Sequence, residues 1–309
     1  MSEGKDDDTN TIMFCASCGT ADGGGVKLKK CTACHLVRYC SVKCQKDHRP
    51  KHKRECKKRA AELHDEILFK QPENTHLGDC PICCLPLPLG AEKTNLNACC
   101  SKRICKGCIF ADKKREAVGR LQQKCPFCRK APPKTVEEAI EQLLKRVEAN
   151  DPVATSYMGL KRCKEGDYKG AFEYWTKAAA LGDADAHFEL SVLYGDGEGV
   201  EKDEKKQLHH TEQAAIAGHP YARHNLALSE DEDGRLDRAV KHWIIAAKLG
   251  AANSLDNLKE LYKDGDVSKD DFTTALRGYQ AAIHETKSPQ RKEAEEFFKR
   301  LAERRSGAV

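Results

Sequence analysis

Residues 15–56, CASCGTADGGGVKLKKCTACHLVRYCSVKCQKDHRPKHKREC, decide the fold of the N-terminal part of this chain. The chemistry-bearing residues recur at short intervals, in the order Cys15-x2-Cys18-x12-Cys31-x2-Cys34-x5-Cys40-x3-Cys44-x7-His52-x3-Cys56. A Cys-x2-Cys pair sets two sulfurs on one tight turn, where both can reach a single tetrahedral Zn²⁺. The two pairs spaced by four positions would each share one face of a helical turn. Eight ligands at this spacing predict two zinc sites.

The alternative to metal is a disulfide framework. Sixteen of the 17 cysteines in the 309-residue chain lie between Cys15 and Cys128. Residues 1–10 have no charged segment followed by an apolar stretch, as a secretory signal would. No apolar run approaches the roughly 20 residues of a membrane helix. We therefore expect an intracellular protein, cytoplasmic or nuclear and not secreted, whose cysteine pairs bind metal. An odd number of cysteines also fits a disulfide framework poorly.

The spacing from Cys15 to Cys56 resembles that of the MYND zinc finger. The resemblance implies a module for protein interaction, often with short proline-containing peptides, although Arg49 stands where the family commonly has a tryptophan of the peptide groove. We find no Asn-His-x-Cys stretch downstream of the kind that accompanies methyl transfer, so methyl transfer is not predicted. The resemblance also implies interleaved ligands, with one zinc held by Cys15, Cys18, Cys40 and Cys44 and the other by Cys31, Cys34, His52 and Cys56.

The stretch from Lys43 to Arg59 is strongly basic, with nine Lys or Arg against two Asp or Glu. Such a run suits a nucleic-acid contact or a nuclear import signal, which would make the protein a nuclear regulator. It equally suits the solvated face of a helix that carries the His52 and Cys56 ligands. Because no aromatic residues are interleaved for base stacking, we favour the solvated face and do not expect nucleic acid as a partner.

A second cysteine cluster follows, in the order Cys80-Pro-Ile-Cys83, Cys99-Cys100, Cys105-x2-Cys108 and Cys125-Pro-Phe-Cys128-Arg129. This order resembles a RING finger over about residues 79–130. Lys102 stands where a RING commonly has its histidine ligand, so we assign the two middle positions to adjacent cysteines. A site with three protein ligands, or one completed by Cys84, is the alternative. The resemblance implies one zinc on Cys80, Cys83, Cys105 and Cys108 and a second on Cys99, Cys100, Cys125 and Cys128.

The RING resemblance implies a ubiquitin ligase. Such a module performs no covalent chemistry, so we predict no catalytic residue; it positions a charged conjugating enzyme for attack by a substrate lysine. By resemblance, Ile82 and Pro126 contact that enzyme, and Arg129 bridges it to ubiquitin. The alternative is a structural zinc knot in which these side chains merely pack or face solvent. Together the two modules predict four zinc ions per chain.

The second half of the chain repeats. Ala178-Ala179-x-x-Gly182 recurs at Ala214 and at Ala246, with periods of 36 and 32 residues and a helical pair in each unit. Such periods indicate an α-solenoid, and the pattern resembles the Sel-one-like subfamily of the tetratricopeptide repeats. The resemblance implies a concave surface for partner proteins. Five residues are candidates to line it, although the two tryptophans more naturally fill equivalent core positions: Tyr174, Trp175, Tyr221, His224 and Trp243. Cys163 is expected in the core.

The sequence thus predicts a mainly α protein, with two small cross-braced zinc modules followed by an α-solenoid of helix–turn–helix repeats. The predicted function is zinc-dependent protein interaction, with a RING-type ubiquitin ligase that recruits its substrates through the repeats; a non-enzymatic scaffold is the alternative. The predicted segments are a disordered N-terminus at 1–12, the MYND-type finger at 13–60, a helical connector at 61–78, the RING-like finger at 79–131, a linker helix at 132–150, the repeats at 151–287, and a capping helix and tail at 288–309.

Overall fold

A computed structural model describes residues 13–23 and 25–306 of the chain. The chain divides into two compact units, Met1–Lys70 and Gln71–Val309. The segment 1–12 that we predicted to be disordered lies outside the described residues, as do Gly24 and the last three residues of the predicted tail. Each unit is considered by itself below.

The first unit is a two-stranded ribbon followed by a long helix. Strands β1 (Lys29–Lys30) and β2 (Arg38–Tyr39) pair antiparallel, and α1 spans Val42–Leu68. The Ser41 hydroxyl caps this helix by accepting a hydrogen bond from the Cys44 N–H at 3.2 Å. Among the described residues, the buried cluster around the cysteines contains two other side chains, Leu28 and Tyr39. So small an apolar core indicates that metal is needed to hold the fold.

The second unit begins with the RING-like segment. Strands β3 (Thr94–Asn97) and β4 (Lys102–Cys105) form an antiparallel hairpin, and α2 (Lys106–Val118) follows directly. The four residues between the two strands include the adjacent pair of cysteines. Leu96 and Ala98 of this hairpin pack against the cluster around Leu143, which lies in α3 (Val136–Glu148). The RING-like segment is therefore joined to the helices that follow it.

Within the part of the unit that the structure describes, ten helices follow the RING-like segment. The Thr135 hydroxyl caps α3 by accepting a hydrogen bond from the Glu138 N–H at 3.2 Å. The helices after α3 are α4 (Pro152–Lys164), α5 (Tyr168–Ala180), α6 (Ala184–Asp196), α7 (Glu204–Ile216), α8 (Pro220–Glu232), α9 (Leu236–Lys248), α10 (Ala252–Asp264), α11 (Lys269–Glu285) and α12 (Pro289–Ser306). The predicted fold class is confirmed: 62% of the described residues are helical, and the repeats form a solenoid of paired helices.

Glycine follows the second helix in the three repeats that carry the recurring Ala-Ala-x-x-Gly motif. Gly182, Gly218 and Gly250 have φ angles of 86°, 85° and 91°. This left-handed backbone is costly for residues with a Cβ, and it turns the chain sharply into the first helix of the next repeat.

The two tryptophans fill equivalent core positions. Trp175 and Trp243 are each 1% exposed and lie in separate clusters, each with alanines of its own helix and of neighbouring helices. Of the other candidates for the concave surface, Tyr221 is 42% exposed, whereas His224 is buried with its Nδ1 2.9 Å from the Ser254 hydroxyl. Tyr174 packs, partly buried, against the Leu143 cluster. Cys163 is partly buried against the core around Trp175.

The last helix packs against the RING-like segment. Within the stretch 288–309 that we predicted as a capping helix and tail, α12 lies against α2. The centroid of the Phe297 ring lies 4.8 Å from that of Phe110, and Phe298 also contacts Phe110. Two adjacent phenylalanines on an otherwise charged helix thus find an aromatic partner on α2.

Candidate metal centres

The first unit brings together both ligand sets predicted from the spacing. In each set the ligand atoms lie within 4.8 Å of one another. The Cys40 sulfur is 3.5 Å from the sulfurs of Cys18 and Cys44. In the other set, Cys31 and Cys56 are 3.8 Å apart, and the Cys34 sulfur is 3.2 Å from His52 Nε2. A tetrahedron with Zn–S bonds of about 2.3 Å has edges of about 3.8 Å, so zinc fits both sets. The sets are Cys15, Cys18, Cys40 and Cys44, and Cys31, Cys34, His52 and Cys56.

The RING-like segment forms two more sets with the same geometry. The sulfurs of Cys80 and Cys108 are 3.9 Å apart, as are those of Cys83 and Cys105. In the other set Cys100 lies 3.9 Å from Cys125, and Cys99 lies 3.3 Å from Cys128. The sets alternate along the chain, which is the cross-braced arrangement of a RING. They comprise Cys80, Cys83, Cys105 and Cys108, and Cys99, Cys100, Cys125 and Cys128.

The structure brings the adjacent cysteines to one site. Neighbouring side chains of an extended strand point to opposite faces, but Cys99 and Cys100 lie in the tight turn between β3 and β4. There the N–H groups of Cys100 and Ser101 donate to the Asn97 carbonyl at 3.1 and 2.8 Å, and Ser101 has a φ of 52°. Cys84, the alternative ligand, is exposed and lies outside all four sets.

One backbone turn recurs at four of the cysteine pairs. The residue after the second cysteine donates its N–H to the carbonyl of the first at 2.9–3.0 Å. That residue has a positive φ in every case: Gly19 at 72°, His35 at 57°, Cys84 at 53° and Arg129 at 61°. The turn holds the two sulfurs of the pair on the same side. It also explains Cys84, which completes the turn and is not a ligand.

The thiols of a set influence one another. Cys105 and Cys80 share a hydrogen bond, which lowers the pKa of Cys80 and raises that of Cys105; burial also raises the pKa of Cys105. Mutual repulsion therefore opposes the ionisation of all four thiols together. A divalent cation offsets this repulsion and binds thiolate strongly, and soft sulfur ligands in a tetrahedron favour zinc. The donor atoms thus suit one zinc ion per set, four in all.

A fifth cluster, which the sequence did not reveal, joins His76 to the repeats. The Asp185 Oδ1 atom is 2.8 Å from His76 Nε2 and 3.6 Å from His219 Nε2. However, His219 Nδ1 accepts a hydrogen bond from the Ala222 N–H at 3.1 Å at the start of α8. The neutral ring therefore carries its proton on Nε2, and a protonated nitrogen is not a ligand. We interpret the cluster as a hydrogen-bond network.

This network fastens the RING-like segment to the second repeat. Arg103 of β4 also reaches Asp185, with 3.0 Å between Nη2 and Oδ2. The backbone N–H of His76 donates to the Gly218 carbonyl at 3.1 Å. Burial alone would raise the pKa of the Asp185 carboxyl. The hydrogen bond from His76, together with the charges of His76 and Arg103, outweighs burial and holds this pKa well below its usual range.

Replacing Asp185 with asparagine is expected to lower the free energy of unfolding of the zinc-loaded protein by about 1–3 kcal/mol. The change removes the anion that accepts from both His76 and Arg103. Because the folded-state pKa of Asp185 is depressed, its contribution is fully present above about pH 4 and is lost as the pH falls further. Urea denaturation at pH 7 and at lower pH measures both effects. Asp79→Asn, an exposed neighbour, is the control, and an equal loss there would contradict the assignment.

The predicted enzyme-contact residues lie at the surface of the RING-like segment. Ile82 is 41% exposed, and Pro126 is half-buried beside an exposed Phe127. The Arg129 guanidinium is 45% exposed and lies 3.5 Å from the Asp112 carboxylate of α2. Ile82 and Arg129 are therefore open to a partner, and Arg129 is held by one ion pair within its own module.

The basic stretch of α1 is exposed as well. Within Lys43–Arg59, every lysine and arginine faces solvent except Arg59, which is partly buried and pairs with Glu62 and Glu66. This matches the solvated helix face that we favoured. Within the described ranges, 13–23 and 25–306, no helix is long and apolar enough to cross a membrane.

Comparisons with known proteins identify two of the three predicted modules. Residues 15–56 match the family described as the MYND finger, and residues 154–183 and 184–219 match the Sel1 repeat. Both resemblances are thereby confirmed, and the RING-like assignment rests on the cysteine pattern and its geometry. The finger and the repeats support a zinc-binding adaptor for protein interaction.

The relatives share parts of the chain. Human Histone-lysine N-methyltransferase SMYD3 is 56% identical over 34 residues, 11% of this chain and 8% of that protein. SET domain and MYND-type zinc finger protein 6 of Schizosaccharomyces pombe is 39% identical over 62 residues, 20% and 12% of the two chains. Mouse DAP3-binding cell death enhancer 1 is 25% identical over 203 residues, 53% and 40%. The chain thus spans less than half the length of these curated relatives.

Two solved structures resemble the repeat region. A Sel1 repeat protein from Oxalobacter formigenes has a TM-score of 0.42 and 23% identity, covering 58% of this chain and 71% of its own. The protective antigen c5321 of uropathogenic Escherichia coli strains has a TM-score of 0.38 and 25% identity, covering 55% and 37%.

Proposed function

We propose that this chain is an adaptor with RING-type ubiquitin-ligase activity, in which the RING-like module recruits a conjugating enzyme and the repeats bind the protein to be modified. One observation carries the proposal: the two RING-like ligand sets interleave along the chain, each within 4.8 Å. A simple zinc knot needs only one such set. Two alternating sets fix both metal-binding loops against the central helix α2.

The activity would come from positioning. Ile82 offers an exposed apolar side chain on the first metal-binding loop, and the half-buried Pro126 lies on the last. Arg129 follows the last ligand, and its left-handed backbone projects it from the end of the turn. Its guanidinium would donate hydrogen bonds to the enzyme and to ubiquitin, restricting the thioester to orientations that favour attack.

The attachment of the RING-like module to the repeats supports this proposal. Arg103 and His76 both bind Asp185 in the second repeat, and α12 packs along α2. A conjugating enzyme on the module and a substrate on the repeats would therefore be held at a fixed separation. A fixed separation raises the effective concentration of the substrate lysine at the thioester.

Autoubiquitination with a panel of conjugating enzymes tests the proposal. We expect activity with at least one enzyme, and we expect Arg129→Ala to reduce it at least about tenfold by loosening the oriented complex. Arg115→Ala is the matched control, because Arg115 also pairs with Asp112 but does not follow a zinc ligand. Equal loss in both variants would mean that Asp112 pairing, and not Arg129 itself, matters.

A non-enzymatic adaptor is the second candidate, favoured by the ion pair between Arg129 and Asp112. That pair would have to open before Arg129 could bridge two partners. One relative of the chain, DAP3-binding cell death enhancer 1, is also named for binding another protein. A fully metallated protein that shows no activity with any enzyme in the panel, yet binds defined partners, would support the non-enzymatic adaptor.

A further inference from the structure

The first turn of α12 places a guanidinium against a zinc ligand. Arg291 Nη2 lies 3.4 Å from the Cys83 sulfur and 3.1 Å from the Leu85 carbonyl. Its Nη1 donates to the carbonyls of Pro86 at 2.7 Å and of Thr286 at 2.8 Å. The Arg291 side chain thus links the zinc ligand Cys83 to Leu85 and Pro86, which follow it closely in the chain, and to the end of α11 at Thr286.

Close packing holds Arg291 in this position. A Cβ on Gly107 would lie only 2.8–2.9 Å from Arg291 Cγ and Cα, so only glycine lets α12 approach α2 here. Gln290 donates to the Gly107 carbonyl at 3.1 Å. Further along, Lys114 and Glu293 form an ion pair of 2.7 Å between the two helices. The guanidinium is therefore fixed by the helix that carries it.

We propose that Arg291 is a positioning residue for the zinc ion of Cys80, Cys83, Cys105 and Cys108. Four thiolates around Zn²⁺ leave a net charge of −2, and an N–H donor with a positive charge offsets part of it at Cys83. The bonds to the Leu85 and Pro86 carbonyls also fix the chain after Cys83, and so the direction of its sulfur. Outer partners of this kind change metal affinity about 10–100-fold.

The test measures zinc transfer from the full-length, zinc-loaded protein to a colorimetric chelator. In Arg291→Gln we expect the zinc of this set to be released about tenfold faster and the second zinc of the RING-like segment to follow it, while the two zinc equivalents of the first unit keep their wild-type rates. Arg300→Gln is the matched control, since it removes the same charge from an exposed position of the same helix. Equal rates in the two variants, or acceleration of all four equivalents, would overturn the proposal.

A second measurement separates the effect on the metal from a general loosening of α12. Glu293→Gln breaks the ion pair to Lys114 without touching the sulfur, so we expect its zinc release to match the wild type. Arg291→Lys keeps the charge and the helix but cannot reach all four acceptors at once. In the Co²⁺-loaded protein, loss of the N–H donor should leave a more electron-rich sulfur and move the charge-transfer band to lower energy. An unchanged band in both Arg291 variants would show that Arg291 serves only to hold the helix.

Discussion

Cys80→Ser is expected to lower the zinc content of the purified protein from four ions per chain to two. Cys80 is fully buried at the centre of a core that, apart from cysteines, contains only Leu87 and Ile104. Zinc binding to a structural site contributes about 10–16 kcal/mol, which exceeds what so small a core provides. Because the two ligand sets interleave, loss of the first zinc should also release the second. Metal analysis measures the count, and circular dichroism should show that most helix remains.

Cys84→Ser is the control for this experiment. Cys84 directly follows the ligand Cys83, but it is exposed and lies outside all four ligand sets. We therefore expect it to retain four zinc ions. A Cys80→Ser protein that keeps all four, or a Cys84→Ser protein that loses one, would contradict the assignment. A wild-type count of three would instead point to the set that contains Cys99 and Cys100.

Trp175→Ala is expected to destabilise the repeats by about 3–5 kcal/mol, the usual range for removing a fully buried tryptophan. Its ring is 1% exposed, and its Nε1 donates to the Ser156 carbonyl at 3.1 Å. A Cβ on Gly159 would lie 2.6 Å from the same ring, so α4 and α5 pack closely around it. Urea denaturation of the zinc-loaded protein, followed by circular dichroism, measures the change.

Two comparisons sharpen this prediction. Tyr157→Ala removes an aromatic ring that is 41% exposed on α4, and we expect it to cost much less than Trp175→Ala. Trp243 occupies the equivalent core position, but its Nε1 has no hydrogen-bond partner among the described residues. Trp175→Phe should therefore cost about 1 kcal/mol more than Trp243→Phe, because only the former loses a buried hydrogen bond. Equal destabilisation by the two phenylalanine substitutions would show that packing alone, and not the indole hydrogen bond, determines the loss of stability.

The ligand sets could be predicted from the sequence because zinc sites are built from short, local spacings. Four of the five Cys-x2-Cys pairs form the same turn, with a positive φ after the second cysteine, and the fifth, Cys105 and Cys108, begins α2. Lys102 was also informative: because a lysine stands where a RING commonly has its histidine ligand, the adjacent cysteines Cys99 and Cys100 were predicted to be the ligands instead. In the three repeats that carry the motif, the glycine after the second helix was recognisable for the same reason. Its left-handed backbone conformation favours glycine over other residue types.

The contacts between modules could not be predicted in this way. His76 and Asp185 are in contact although more than a hundred residues separate them in the sequence, and no repeat or spacing in the sequence indicates this contact. Arg291 is one of many charged residues in α12, and only the structure shows that it faces a zinc ligand. Helix α1 continues without a break to Leu68, so the helical connector that we predicted at 61–78 begins as part of the ligand-bearing helix.

The attachment of α12 to the RING-like segment has a consequence for biosynthesis. Arg291 lies 208 residues after Cys83. At about 5–20 residues per second, a ribosome needs about 10–40 s to add that length of chain. The ligands of the MYND finger lie within residues 15–56, so it can bind zinc as soon as it emerges from the ribosome. The RING-like segment gains the contacts of Arg291 only after α12 has been synthesised. During that interval the site of Cys80, Cys83, Cys105 and Cys108 lacks the contacts of Arg291, and a product truncated before α12 would lack them permanently.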